Sequence, residues 1–254
     1  MGAVIAAGRR VLPRGYGDFV RQLAIWFGFF FAYQLARGIA DRNPATAFTN
    51  GWKIITFEQR MTHHLVELSA QRIADSSHWL LTAAAWTYWN SEFTVVGLAL
   101  LFVYLRRNER FIWFRNTILL ANVLGLIGYV MLPTAPPRMF GSFGFSDALD
   151  TVSGINHGSA LVSLAANPYA AMPSLHAADS LIVGVVMVVV CRHWWAKVLW
   201  ALWPAWVWFC VMATANHFAV DVVAGIGVAI LAFAIVATAP RVVRKSHVVI
   251  ANLL

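Results

Sequence analysis

The sequence predicts an all-α integral membrane protein: a six-transmembrane-helix bundle with an extra interfacial amphipathic helix between spans one and two. Three observations lead there. The 254 residues are 60% hydrophobic and only 12% charged, with 12 Trp and 17 Phe, too apolar for a soluble domain of this length. The apolar residues come in long blocks. Five blocks approach or exceed the ~20 residues a helix needs to cross a bilayer, and a sixth is slightly short. Arginines and lysines gather at alternate ends of these blocks, as they do in cytoplasmic loops.

The spans read as residues 19–36, 79–105, 116–132, 174–190, 194–213 and 217–239, in a single membrane domain covering 1–254. The opening "MGAVIAAGRR" has its apolar part ahead of its charges and is too short for a cleavable signal, so the first span is expected to remain in the mature protein. Arg9, Arg10, Arg14 and Arg21 precede the first span. Arg106, Arg107, Arg110 and Arg115 follow the second, Arg192 and Lys197 lie between the fourth and fifth, and Arg241, Arg244 and Lys245 close the chain. These regions hold most of the 19 basic residues and would share one side, which predicts cytoplasmic termini in the plasma membrane. A net charge of +8 therefore reports topology, and no nucleic-acid partner is expected. Cys191 and Cys210 are too few for a disulfide framework or a zinc cluster.

Between the first two spans, Phe48, Trp52 and Ile55, then Ile54, Phe57, Met61, Leu65 and Leu68, recur at helical spacing. The spacing predicts a helix lying in the outer interface or packed on the bundle. His63 and His64 are adjacent, point in different directions on a helix, and read as surface residues. The stretch "WWAKVLWALWPAWVW" reads as an interfacial belt and packing surface around Pro204.

Three polar clusters fall at the predicted outer ends of spans: "LPTAPPRM", "MPSLHAAD" and "NHFAVDVVAG". His217 and Asp221 are four residues apart, one turn on a helix, so Asp221 can fix the tautomer of His217 and leave its other nitrogen nucleophilic. A capping histidine beside a structurally paired aspartate is the plainer reading of that pair alone. Ser174 stands at a helix start with His176 two residues on. Free N–H groups there, with the hydroxyl, can seat a phosphate while His176 protonates a leaving oxygen. Alone, Ser174 reads as a cap. Arg138, held among prolines, suits bidentate contact with phosphate or snorkelling to lipid head groups. Taken together, these residues describe phosphoryl transfer without a metal motif.

"PSLH" followed by "HFAVD" resembles the second and third signature motifs of the type 2 phosphatidic acid phosphatase superfamily of membrane lipid phosphatases and phosphotransferases. "PTAPPR" with "MPSLH" and "NHFAVD" is closer to its inositolphosphotransferase-like branch, which includes inositol phosphorylceramide synthases. The resemblance implies that His217 is a nucleophile forming phosphohistidine, that Asp221 orients it, and that His176 protonates the departing alkoxide. It places Ser174 and Arg138 on phosphate oxygens and implies neither metal nor cofactor. The implied partners are a lipid phosphoester, an acceptor alcohol or water, and the bilayer, with the site on the extracytoplasmic face. Leu175 replaces the glycine of "PSGH", Cys210 and Val211 stand where the phosphatases carry Ser-Arg, and Met131 stands seven residues before Arg138 in place of a lysine. These departures favour the transferase branch and leave Arg37 or Lys53 as candidate helpers of Arg138.

Asp179, Asn216 and Glu92 are accessory candidates. Asp179 lies on the His176 face and can pair with Arg138, tune His176, meet a substrate hydroxyl, or bond a neighbouring helix. Glu92 follows Asn90 near a helix kink or water cavity, and an ionisable group in a span suggests function. Asp147 and Asp150 on the outer loop can bind a polyol or simply be solvated. The alternatives are a lipid phosphate or polyprenyl (di)phosphate phosphatase, and a non-catalytic lipid-binding or transport protein. An intramembrane serine protease is weaker, because no Gly-x-Ser-x-Gly elbow surrounds Ser174. A metalloprotease is weaker still, lacking His-Glu-x-x-His.

Overall fold

In the computed structural model, which describes residues 12–39, 43–149 and 167–251, every apolar block is helical. Helix α1 spans Gly15–Ile39. Helix α2, Pro44–Thr62, starts where the Asn43 side chain accepts from Thr46 N–H and proline occupies the first turn. It stops at His63, whose φ of 59° is left-handed. Helix α3 covers Val66–Asp75. Helix α4, His78–Asn90, runs through a five-residue π turn, Ser91–Val95, into α5, Val96–Arg106. Then come α6, Asn108–Met131, α7, Leu175–Val190, α8, Trp194–Ala213, and α9, Ala219–Ala251.

Five helical segments are long and apolar enough to cross a membrane: Gly15–Gly38, His78–Arg106, Asn108–Met131, Trp194–Ala213 and Ala219–Thr238. The chain is an integral membrane protein. The block expected at 174–190 forms a 16-residue helix, about 24 Å long at 1.5 Å per residue, shorter than a ~30 Å hydrocarbon core. Instead of facing lipid, α7 is the central helix, mostly buried and packed against α5, α6, α8 and α9. The helices around it keep large apolar side chains exposed, including Phe31 and Leu35 on α1, Leu199 and Leu202 on α8, and Val223 and Ile230 on α9.

Two boundaries differ most from expectation, and the first helix runs three to four residues past its expected ends, 19 and 36. The third span begins at Asn108, not 116, because "RRNERFIWFR" turns sharply at Arg107 and is otherwise helical. Its charges are absorbed locally: the Arg115 guanidinium donates to Gln22 Oε1 at 2.5 Å and to Asn116 Oδ1 at 2.8 Å. The last helix continues beyond 239 to Ala251. Between the first two spans stand two helices rather than one. Ala47, Ile54, Ile55 and Glu58 of α2 and Glu67, Ala70, Gln71 and Ala74 of α3 are buried, while Trp52, Phe57 and Met61 remain exposed. His63 and His64 are exposed. The tryptophans of α8 do pack around the bundle: Trp206 Nε1–H donates to Thr87 Oγ1 and Trp208 Nε1–H to the Ala177 carbonyl, while Trp194 stays exposed.

Candidate active site

Three loop segments meet above α7. The segment after α6 pairs with the one before α7 through an isolated parallel bridge, Thr134 to Ala170, with Thr134 N–H on the Tyr169 carbonyl at 2.7 Å. The α8–α9 turn joins them where Arg138 N–H donates to the Ala215 carbonyl at 2.9 Å; Ala215 is left-handed, with φ 53°. A small cavity opens beneath this junction, and Arg37, Glu92, Arg138, His176, Asn216 and His217 are among its walls.

The start of α7 lies tight against α9. A Cβ on Gly225 would sit 2.1 Å from the Ser174 carbonyl oxygen, so only glycine permits the approach. Ser174 N–H donates to the Asp221 carbonyl at 2.9 Å, and the Ser174 hydroxyl accepts from Ala177 N–H at 3.3 Å. Ser174 is thus a fully buried N-cap outside the cavity wall, the plainer of its two expected readings. Leu175, in place of the glycine of "PSGH", fills the notch that Gly125 leaves on α6.

His217 precedes α9. Its Nδ1 lies 2.8 Å from the Ala171 carbonyl oxygen, which can only accept, so Nδ1 carries the hydrogen and Nε2 keeps its lone pair. Asp221 Oδ2 is 3.6 Å from Nδ1, too far for a hydrogen bond, and instead accepts from Phe218 N–H at 2.8 Å. The expected ring contact to Asp221 is therefore replaced by a backbone carbonyl. A four-residue spacing aligns two side chains only inside a helix, and α9 begins two residues after His217.

His176 faces His217, ring centroids 5.8 Å apart, and stacks on Tyr88 at 4.4 Å. Its Nε2 lies 3.1 Å from the Tyr88 carbonyl oxygen and 3.5 Å from Glu92 Oε2. Glu92 sits in the π turn, a wide helical turn of the kind often found at functional sites, and is buried against the cavity.

Arg138 donates through Nη1 to Asn216 Oδ1, and its Nε is 3.6 Å from Asp147 Oδ2. Asn216 is itself aimed by its amide, which donates to the Thr214 carbonyl at 3.1 Å and to Thr214 Oγ1 at 3.0 Å. Arg37 also lines the cavity, its guanidinium 5.8 Å from the Tyr129 ring centroid and its buried Nε without a hydrogen-bond partner. Lys53 is exposed on α2 and does not line it. Asp179 lies apart from this cavity, with both oxygens 3.1 Å from Asn122 Nδ2, the helix-bonding reading of that residue. Asp150 falls outside the described residues.

Sequence reading missed Glu58 and Glu67. Phe218 occupies the N-cap of α9 and has no side-chain oxygen for the first-turn N–H groups. Those donors go elsewhere: Val220 N–H to Glu58 Oε1 at 3.0 Å, and Ala219 N–H to Glu67 Oε1. The available signal was two glutamates on an amphipathic stretch, and only packing shows that both point inward.

This arrangement offers a histidine nitrogen with a free lone pair, a second histidine within reach of the same space, and two guanidiniums. Those are the parts of metal-free phosphoryl transfer through a covalent histidine. Among the described residues, no three His, Cys, Asp or Glu side chains are grouped to hold a metal ion. The chain is similar to the phosphoinositol dihydroceramide synthase of Bacteroides thetaiotaomicron, 28% identical over 147 residues that cover 53% of this chain and 48% of that relative. It therefore spans about half the length of the curated relative it matches. No solved structure matches it. A family model described as the PAP2 superfamily matches residues 52–235, which include all three polar segments, both histidines and Arg138, and the chain belongs to that superfamily.

Proposed function

We propose that this protein transfers a phosphoryl or phospho-head-group unit from a membrane lipid phosphoester, through a covalent intermediate on His217, at the extracytoplasmic face. The observation that carries the reading is the His217 ring, pinned at Nδ1 by the Ala171 carbonyl so that Nε2 keeps its lone pair in a cavity shared with Arg138 and His176. In the first half-reaction the Nε2 lone pair attacks phosphorus, a P–N bond forms and the P–O bond to the leaving group breaks. Protonated His176, its Nε2–H held by Tyr88 and Glu92, gives its Nδ1 proton to the departing alkoxide. In the second half-reaction, an acceptor hydroxyl loses its proton to His176 and attacks phosphorus, and the P–N bond breaks. Arg138, aimed by Asn216, and Arg37 would offset the charge growing on the phosphate oxygens.

The reaction leans to inositolphosphotransferase-like head-group transfer, a direction supported by the relative named phosphoinositol dihydroceramide synthase. With water as acceptor, the same site is a lipid phosphate or polyprenyl (di)phosphate phosphatase. The basic flanks of the spans support cytoplasmic termini in the plasma membrane, with α7 completing a six-helix layout. The test is turnover of labelled phosphatidylinositol or polyprenyl phosphate by purified protein, with and without added acceptor alcohol. Expected is an acid-labile, base-stable labelled enzyme in the wild type and none in His217→Ala. Undiminished turnover by folded His217→Ala would overturn the assignment.

A further inference from the structure

The first turn of α9, next to His217, is capped by two carboxylates from helices distant in sequence. Glu58 on α2 and Glu67 on α3 are 5% and 0% exposed. Each gives one oxygen to a first-turn N–H, and each keeps a second buried oxygen, Oε2, without a hydrogen-bond partner. No ion pair links either to a cation among the described residues. Lys53, Arg60 and Arg72, on the same two helices, are exposed. The titratable group facing the pair from α9 is Asp221, a third buried carboxyl. Two adjoining buried carboxylates cannot both ionise cheaply, whereas a singly protonated pair leaves one negative charge at the positive end of a helix.

We propose that Glu58 and Glu67 are positioning residues for His217, clamping the Phe218–Val220 backbone while Glu58 holds its proton and releasing it when that proton is lost. The mechanical link is short. His217 N–H bonds the Val211 carbonyl at 3.2 Å, its ring bonds the Ala171 carbonyl, and the following residues hang from Asp221, Glu67 and Glu58 in turn. If the first turn shifts, Nε2 moves relative to Arg138 and His176. The catalytic consequence rests on the reading of His217 as nucleophile; the clamp itself does not.

Burial first, then the Glu67 charge, pushes the Glu58 carboxyl up to about 8 from its ordinary 4.5. A carboxyl whose folded value is raised contributes stability that is fully present below the unfolded value and is lost as pH rises through the folded one. The clamp is therefore whole near pH 4.5, weakens above it, and is largely undone once pH passes about 8.

The experiment uses detergent-solubilised full chain: thermal unfolding midpoints and kcat between pH 6 and 9.5, for wild type, Glu58→Gln and Glu58→Ala. Glutamine keeps the Oε1 acceptor and does not ionise in this range, so Glu58→Gln is expected to retain activity near neutrality. The wild-type decline in midpoint from pH 6 to about 8, and the fall in kcat around pH 8, should both flatten in that variant. Glu58→Ala, which leaves Val220 N–H uncapped, should lose kcat ~10-fold near neutrality, about 1.4 kcal/mol of activation free energy, and converge with wild type above pH 8. An unchanged alkaline fall in Glu58→Gln overturns the proposal, and Glu58→Gln stays decisive should the alanine variant not fold. If labelled enzyme forms on His217 while the Glu58→Gln profile matches wild type, the clamp alone fails. If the midpoints behave as expected but His217→Ala still turns over, the clamp stands and the nucleophile fails.

Discussion

The carbonyl oxygen of Ala171 lies 2.8 Å from His217 Nδ1, inside hydrogen-bonding range, whereas Asp221 Oδ2 stands 3.6 Å from the same nitrogen. The tautomer of the proposed nucleophile is thus set by main chain from the "AAMPS" segment. That segment is in turn held by the Thr134 to Ala170 bridge and by Ala171 N–H on the Thr134 carbonyl at 3.3 Å. Asp221 works on the backbone of the same residue cluster by satisfying Phe218 N–H.

Asp221→Asn keeps a side-chain oxygen for Phe218 N–H and should therefore retain the fold and a measurable fraction of kcat, within ~10-fold of wild type. Asp221→Ala removes the cap and should cost about 0.5–2 kcal/mol of stability. Phosphoenzyme trapping and thermal unfolding on both variants decide the matter. Complete loss of phosphoenzyme in well-folded Asp221→Asn would restore the carboxylate as the group that orients the ring.

Charge removal should scale with how directly each cation faces the cavity. Arg138→Ala is expected to lower kcat/KM by ~10²–10³, the usual effect of deleting a preorganised donor to a developing anion. Asn216→Ala, which only frees the guanidinium, should cost less, and Arg37→Gln should weaken inhibition by orthovanadate while leaving the fold unchanged. Lys53→Gln, on the exposed face of α2, should match wild type. Equal vanadate inhibition in Arg37→Gln and wild type would remove Arg37 from the phosphate site.

His176 Nε2 and Glu92 Oε2 lie 3.5 Å apart in the cavity shared with His217. His176→Ala should slow an alkoxide-leaving lipid by ~10²–10⁴ and a lipid analogue with a good leaving group, such as nitrophenolate, far less. Glu92→Gln should show the same leaving-group dependence in milder form. A uniform loss on both substrates would make the pair structural.

Gly225→Ala places a Cβ 2.1 Å from the Ser174 carbonyl oxygen and should separate α9 from the start of α7, destabilising by about 1–3 kcal/mol. Gly227, two residues on, has nothing within 4 Å of the equivalent position, so Gly227→Ala should be neutral or slightly stabilising in the helix. Unfolding midpoints of the two variants side by side provide the check.

What was legible in the sequence is what each residue reports about its own surroundings. The apolar blocks declared helices in a membrane, and the clusters around Arg138, His176 and His217 named segments that meet at one cavity. Asn216 and Glu92 were recognisable as polar groups where polar groups are costly. Periodicity marked the stretch between the first two spans as helical but not its buried side, since Trp52, Phe57 and Met61 are exposed while Ala47 and Glu58 are buried, nor its division at His63.

Tertiary structure decided the pairings, because a hydrogen bond depends on which donors the fold leaves unsatisfied. Ser174 caps α7 instead of lining the cavity, and Asp221 serves Phe218 because His217 falls outside the helix. Asp179 spends its oxygens on Asn122, a neighbour 57 residues away in sequence. Arg37 reaches the cavity from α1 and Glu58 and Glu67 reach α9 from α2 and α3, approaches that no local pattern encodes. Residue types and their spacing determined the helices, the membrane setting and the polar side chains that could gather at one cavity. Packing decided which backbone atoms they hold, since burial leaves each N–H and carbonyl only the partners that the neighbouring helices bring within reach.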